Sequence, residues 1–82
     1  MRKSKLLKRV LANPQNVAFN EMVSLVEAFG FRLSRVQGSH HIFVHEDVRE
    51  LVNLQNVGGQ AKAYQVRQFL ELIERYNLEM EA

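Results

Sequence analysis

The sequence predicts an α+β domain in which a three-stranded antiparallel sheet packs on helices. Three observations carry that prediction. Apolar residues recur at i, i+3, i+4, i+7 in Met22, Leu25, Val26 and Phe29, and again in Val66, Phe69, Leu70 and Ile73. Between these stretches lie three short runs rich in Phe, Val, Leu and Ile, separated by turn residues. A chain of 82 residues that is 46% hydrophobic and 24% charged has the composition of one folded domain with a single core. Strands joined by turns this short pair antiparallel, and helices gathered on one face leave the other face open.

Taken in order, Ser4 to Ala12 reads as a short amphipathic helix, with Leu6, Leu7, Val10 and Leu11 at helical spacing and Arg2, Lys3, Lys5, Lys8 and Arg9 around them. Asn13-Pro14 ends it, because proline disfavours helical geometry at the residue before it. Asn20 is the expected N-cap of a second helix, Glu21 to Phe29, with Gly30 as its stop. The period then changes to two. Phe31 to Gln37, His40 to His45 and Glu50 to Gln55 are the expected strands of the meander. Val52 and Leu54 define the core face of the third. In the second, Ile42 and Val44 compete with Phe43 for burial; with Ile42 and Val44 facing the helices, His40 would share that face at the strand's margin. Asn56 to Lys62 holds Gly58-Gly59 and no periodicity, and is expected to be the most mobile loop. Ala63 to Tyr76 forms the last helix, with Gln65, Arg67, Gln68, Glu71, Glu74 and Arg75 on its outside. The acidic end, Asn77 to Ala82, is expected to fray.

Composition narrows the function. No cysteine is present, so disulfides, cysteine-ligated zinc and thiol catalysis are excluded. No apolar run approaches the ~18 residues of a membrane span, and the expected location is the cytoplasm. The net charge of +2 conceals an asymmetry: residues 1–45 carry seven basic and two acidic side chains, residues 46–82 four basic and seven acidic. Such a basic half either faces nucleic acid or is an ordinary solvated surface.

The stretch with the most chemical potential is Gly38-Ser39-His40-His41-Ile42-Phe43-Val44-His45, a turn leading into a strand that opens with two histidines. A histidine at a turn-to-strand junction is held by the sheet yet open to a substrate, and imidazole is the side chain that titrates nearest neutrality. A metal cage is not expected. His40 and His41 point to opposite faces, and His41 and His45 are separated by four strand steps, roughly 13 Å, where zinc needs donors within ~2.1 Å. The plain alternative is a half-exposed strand histidine without chemistry.

Gly30-Phe31, Arg35 and the run Gly38-Ser39-His40-His41-Ile42-Phe43 resemble the signature of the HicA toxins, small bacterial and archaeal mRNA interferases of type II toxin–antitoxin pairs. The resemblance covers Phe19 to about Leu78, so the chain reads as one domain, 1–82, with a family core over 18–78 and an N-terminal helical extension over 1–17. It implies a fold similar to the double-stranded-RNA-binding domain, with the order α-β-β-β-α. It also implies an RNA (mRNA) substrate, a HicB-type antitoxin as partner, and no cofactor or metal. The family's catalytic histidine falls on His40. Ser39 of the same turn, Arg35, Lys62 and Arg67 are the candidates for RNA contact. Many members carry a Pro-and-His-containing stretch after the third strand, whereas Gln55 to Tyr64 contains neither residue.

The chemistry implied by the resemblance is metal-independent RNA cleavage, with His40 removing the proton of a ribose 2′-OH that attacks the adjacent phosphorus. Cationic donors would meet the charge that gathers on the phosphate. Two rivals remain at this level: an RNA-binding module that contacts phosphate without cleaving it, and a structural domain that only docks a protein partner.

Overall fold

Two-residue turns set the sheet. The computed structural model describes residues 3–81; Arg2 of the basic segment and Ala82 of the acidic tail lie outside the described residues. The elements run α1 (Lys3–Ala12), α2 (Phe19–Ala28), β1 (Arg32–Gln37), β2 (His40–His45), β3 (Val48–Val57), β4 (Gln60–Ala61) and α3 (Ala63–Tyr76). Gln37 pairs with His40 across Gly38-Ser39, His45 with Val48 across Glu46-Asp47, and Val57 with Gln60 across Gly58-Gly59. The sheet is antiparallel, in the order β1-β2-β3-β4.

It therefore has four strands where three are expected. The segment read as a mobile loop is a tight hairpin: Gly58 (φ +59°) and Gly59 (φ +85°) both take positive φ, as the two central residues of a type I′ turn must. This hairpin is also tied to the chain ahead of α2. The Phe19 N–H bonds the Gly59 carbonyl at 2.8 Å, and the Ala61 N–H bonds the Val17 carbonyl at 2.9 Å. These contacts explain why α2 starts at Phe19 with Ala18, not Asn20, as its N-cap, and without a side-chain cap.

The helices cover one face of the sheet. Met22, Leu25, Val26 and Phe29 of α2 are buried, and so are Val66, Phe69 and Leu72 of α3, against Phe43, Val52 and Leu54 of the sheet. Phe43, not Ile42 or Val44, takes the inward position of β2 and is 1% exposed. On this face the Phe43 ring is flanked by two further rings, His41 and His45, that meet aromatic side chains of the helix side. The alternative left open for β2 is thus decided in favour of Phe43. His41, Phe43 and His45 face the helices, while His40, Ile42 and Val44 face the open side. His41 packs edge-on against Phe19 with ring centroids 4.7 Å apart, and His45 lies 4.9 Å from Phe31.

On α1, Leu6 and Val10 enter the core and Leu7 packs against its rim, whereas Leu11 is exposed. An ion pair at 2.6 Å between Arg9 and Glu21 links α1 to α2. The C-terminal segment is folded back, not frayed, over its described part. The Glu81 N–H bonds the Ala28 carbonyl at 2.8 Å, and Leu78 and Met80 pack against the core. Among the described residues, no helix is long and apolar enough to cross a membrane.

Candidate active site

The site begins at the hairpin between β1 and β2. Gly38 takes φ +59° while Ser39 does not take positive φ, the pattern of a type II′ turn whose twist matches the flanking strands. The Ser39 carbonyl is fixed from two sides: it accepts the Asn56 N–H at 3.1 Å and the His41 Nδ1–H at 3.2 Å. The turn that delivers His40 is therefore anchored to β3 and to the next residue of its own strand.

His40 is exposed on the open face, paired with Gln37 on β1 and Gln55 on β3. The adjacent row on that face reads Arg35, Ile42, Asn53. Arg35 is there because of a bulge. Leu33 pairs with Phe43, so regular pairing would set Arg35 opposite His41 on the helix side; the irregularity between Leu33 and Arg35 sets it opposite Ile42 instead. His40 consequently has a guanidinium diagonally beside it on one strand and an amide diagonally beside it on the other. The amide makes contact: His40 Nδ1 lies 3.2 Å from Asn53 Oδ1.

Behind this face, Gln55 connects the site to α3. The strand β4 pairs with β3 only at Asn56 and Val57, which leaves the Gln55 N–H beyond the end of that ladder. Gln65 of α3 fills the gap. Its Oε1 accepts the Gln55 N–H at 2.7 Å, and its Nε2 donates to Gln55 Oε1 at 2.9 Å and to the Tyr64 hydroxyl at 3.2 Å. Gln65, expected outside, is 2% exposed and is a side-chain substitute for the missing strand.

The remaining candidates lie on α3 and its start. Lys62 is the N-cap residue of α3, its ammonium 6.0 Å from the centre of the Tyr64 ring. Arg67 sits on the exposed side of α3, one turn beyond Tyr64. The structure thus brings Arg35, Ser39 and His40 together on one end of the sheet, with Lys62 and Arg67 beyond β3. Sequence reasoning missed Asn53, Gln55 and Gln65. The period-2 pattern of β3 already set Asn53 and Gln55 on the face opposite Val52 and Leu54; only the face of β2 that meets them was open.

The three histidines diverge. His41 cannot serve the His40 site from the helix face, because the irregularity of β2 lies between Phe43 and His45 and leaves the alternation at His40 and His41 intact. His45 accepts the Asp47 N–H on Nδ1 at 3.0 Å. Its ring lines a cleft of about 570 Å³ with Gly30, Glu46, Leu78, Glu79 and Glu81, and His40 is not part of that lining. Among the described residues, no three His, Asp or Glu side chains converge to hold a metal ion.

A family model described as HicA toxin of bacterial toxin-antitoxin matches residues 19–74, well over half of the chain. This chain belongs to the HicA toxin family. The match begins at the first residue of α2 and ends near the close of α3, so it spans the whole sheet and the His40 hairpin. No curated protein and no solved structure gives a significant match to the chain.

Proposed function

We propose that this HicA-family toxin is an endoribonuclease that cleaves mRNA in the cytoplasm without a metal ion, using His40 as general base. The reading is carried by one observation. The histidine of the family's Gly-Ser-His turn stands exposed on an uncovered sheet face, held by an anchored hairpin and flanked by Arg35. RNA is a long polyanion, so an open face with cationic neighbours suits it better than a closed pocket. On this reading the core from α2 to α3 is double-stranded-RNA-binding-domain-like, with α1 and the two-residue β4 as additions.

In the reaction, His40 takes the proton of a ribose 2′-OH, whose oxygen then attacks the adjacent phosphorus. The bond from phosphorus to the 5′ oxygen breaks, and that oxygen receives a proton from water. Arg35 stabilises the charge on the phosphate, with Ser39 holding the backbone nearby and Lys62 and Arg67 guiding the strand from α3. One histidine serves as base and no second side chain serves as acid, so turnover is slow, as suits a toxin. A HicB-type antitoxin neutralises the enzyme by covering the face that carries His40. A standard interface of ~1,600 Å² is large enough to do so.

End-group analysis of a defined RNA cleaved in excess EDTA tests the reading. The expected products carry a 2′,3′-cyclic phosphate and a 5′-hydroxyl, and a 2′-deoxy substitution at the cleaved position blocks the reaction. Products with 5′-phosphates, or cleavage lost in EDTA and restored by a divalent cation, would overturn it.

A further inference from the structure

We infer that Asn53 is a positioning residue for His40: it holds the imidazole in the Nδ1–H tautomer, so that Nε2 carries the lone pair that removes the 2′-OH proton. The inference rests on the reading of His40 as the general base. Its starting point is the 3.2 Å approach of His40 Nδ1 to Asn53 Oδ1. An amide oxygen only accepts, so Nδ1 donates, and a neutral ring with its one proton on Nδ1 has its free lone pair on Nε2. A ring of the other tautomer would present a donor where the reaction needs a base.

The fold gives Asn53 a fixed position from which to act. It lies on β3 between Val52 and Leu54, which are 3% and 0% exposed on the helix side. It pairs with Ile42, two residues from His40 on the same face. Such a diagonal cross-strand neighbour is within reach of a long side chain but too far to crowd the ring. The same strand holds a contrasting case. His45 Nδ1 accepts the Asp47 N–H, so the neutral His45 ring carries its proton on Nε2. His45 is thus an internal reference of the opposite tautomer.

The test combines two-bond ¹H–¹⁵N correlation spectra of the imidazoles with pH–rate profiles for the wild type, Asn53→Ala and Asn53→Asp. Above the pH at which the rings titrate, wild-type His40 should be the Nδ1–H tautomer and His45 the Nε2–H tautomer. Asn53→Ala should move His40 toward Nε2–H, leave His45 unchanged and lower kcat on the order of 10-fold, the usual cost of losing an outer hydrogen-bond partner of a functional histidine. KM should hardly move. Asn53→Asp keeps the acceptor and adds a charge that favours imidazolium, so the tautomer should persist while the acid limb of the profile moves to higher pH. A wild-type His40 in the Nε2–H form overturns the inference, as does an alanine variant with unchanged tautomer and kcat. The expected tautomers in a protein that cleaves no RNA would overturn the enzyme reading and leave the hydrogen-bond assignment standing.

Discussion

Gln65→Leu isolates what the buried amide of α3 contributes. Leucine keeps most of the volume, so packing against the core changes little, but the Gln55 N–H loses its acceptor at 2.7 Å and Gln55 Oε1 loses the nearer of its two donors, at 2.9 Å, keeping the Tyr64 hydroxyl at 3.5 Å. Leaving one backbone donor unsatisfied at a part-buried position costs about 1–3 kcal/mol. A domain of this length has a total stability of roughly 4–12 kcal/mol. Each kcal/mol lowers the midpoint of a small domain by about 4–8 °C, so a fall of about 4–24 °C is expected. Gln55→Ala is the matched control. It removes the side-chain bonds but keeps the backbone N–H paired with Gln65, and should cost only about 0.5–1.5 kcal/mol. Thermal and urea melts of the three proteins read the difference. A leucine variant that melts with the wild type, or an alanine variant that costs more than the leucine one, would refute the strand-substitute role.

Three further outcomes follow from other parts of the molecule. Gly58→Val should cost about 1–2 kcal/mol and Gly58→Asn much less, since φ is +59° and no atom lies within 4 Å of an added Cβ, leaving backbone conformation as the whole effect; equal costs in urea melts would contradict this. The Tyr76 hydroxyl donates to Glu50, which Arg75 also pairs at 3.0 Å. The Tyr76 bond holds the Glu50 carboxyl below its ordinary value of 4.5 and raises the Tyr76 phenol above its ordinary value of 10.0. The destabilisation caused by Tyr76→Phe should therefore be constant between these values. It should shrink as acid protonates Glu50 and again as the phenol ionises, and a pH-independent difference in melting would contradict the assignment. On α1, Lys5 and Lys8 are exposed and make no ion pair among the described residues. If they contact RNA, charge reversal at both should lower the salt slope of binding by roughly 0.7 per lost contact, whereas an unchanged slope leaves α1 the packing role of Leu6 and Val10.

Much of this was legible in the sequence, and the exceptions have identifiable causes. The stripe of α2 was readable because its apolar residues recur at helical spacing, and the inward pair Val52 and Leu54 because they alternate with Asn53 and Gln55. β2 was not, because Ile42, Phe43 and Val44 are consecutive apolar residues and period 2 alone cannot choose between two faces. The tertiary contacts of Phe43, His41 and His45 with the helix side decide it, and they turn His40 outward. The β4 hairpin was missed because a two-residue strand has no period, although Gly-Gly between short flanking segments is itself a type I′ signal. The bulge that brings Arg35 to the His40 face leaves no mark at Ser34. The link between His40 and Asn53 depends on a register that shifts by two residues between His45↔Val48 and Phe43↔Val52. A shift of two preserves the face of every side chain, so the face of Asn53 was deducible and its partner was not.

The central claim is that His40 is the base and that its removal spares the fold. Cleavage of a defined RNA by the wild type, His40→Ala and His41→Ala, beside a thermal melt of each, tests it most directly. His40 is exposed and makes one side-chain hydrogen bond, so His40→Ala should melt within about 1 kcal/mol of the wild type. It should still lose on the order of 10² to 10⁴ in rate. His41 packs on Phe19 and bonds the Ser39 carbonyl, so its alanine variant should lose about 1–2 kcal/mol of stability and retain most of its activity when folded. Cleavage by His40→Ala at the wild-type rate, or equal loss of rate and of melting temperature in both variants, would contradict the assignment.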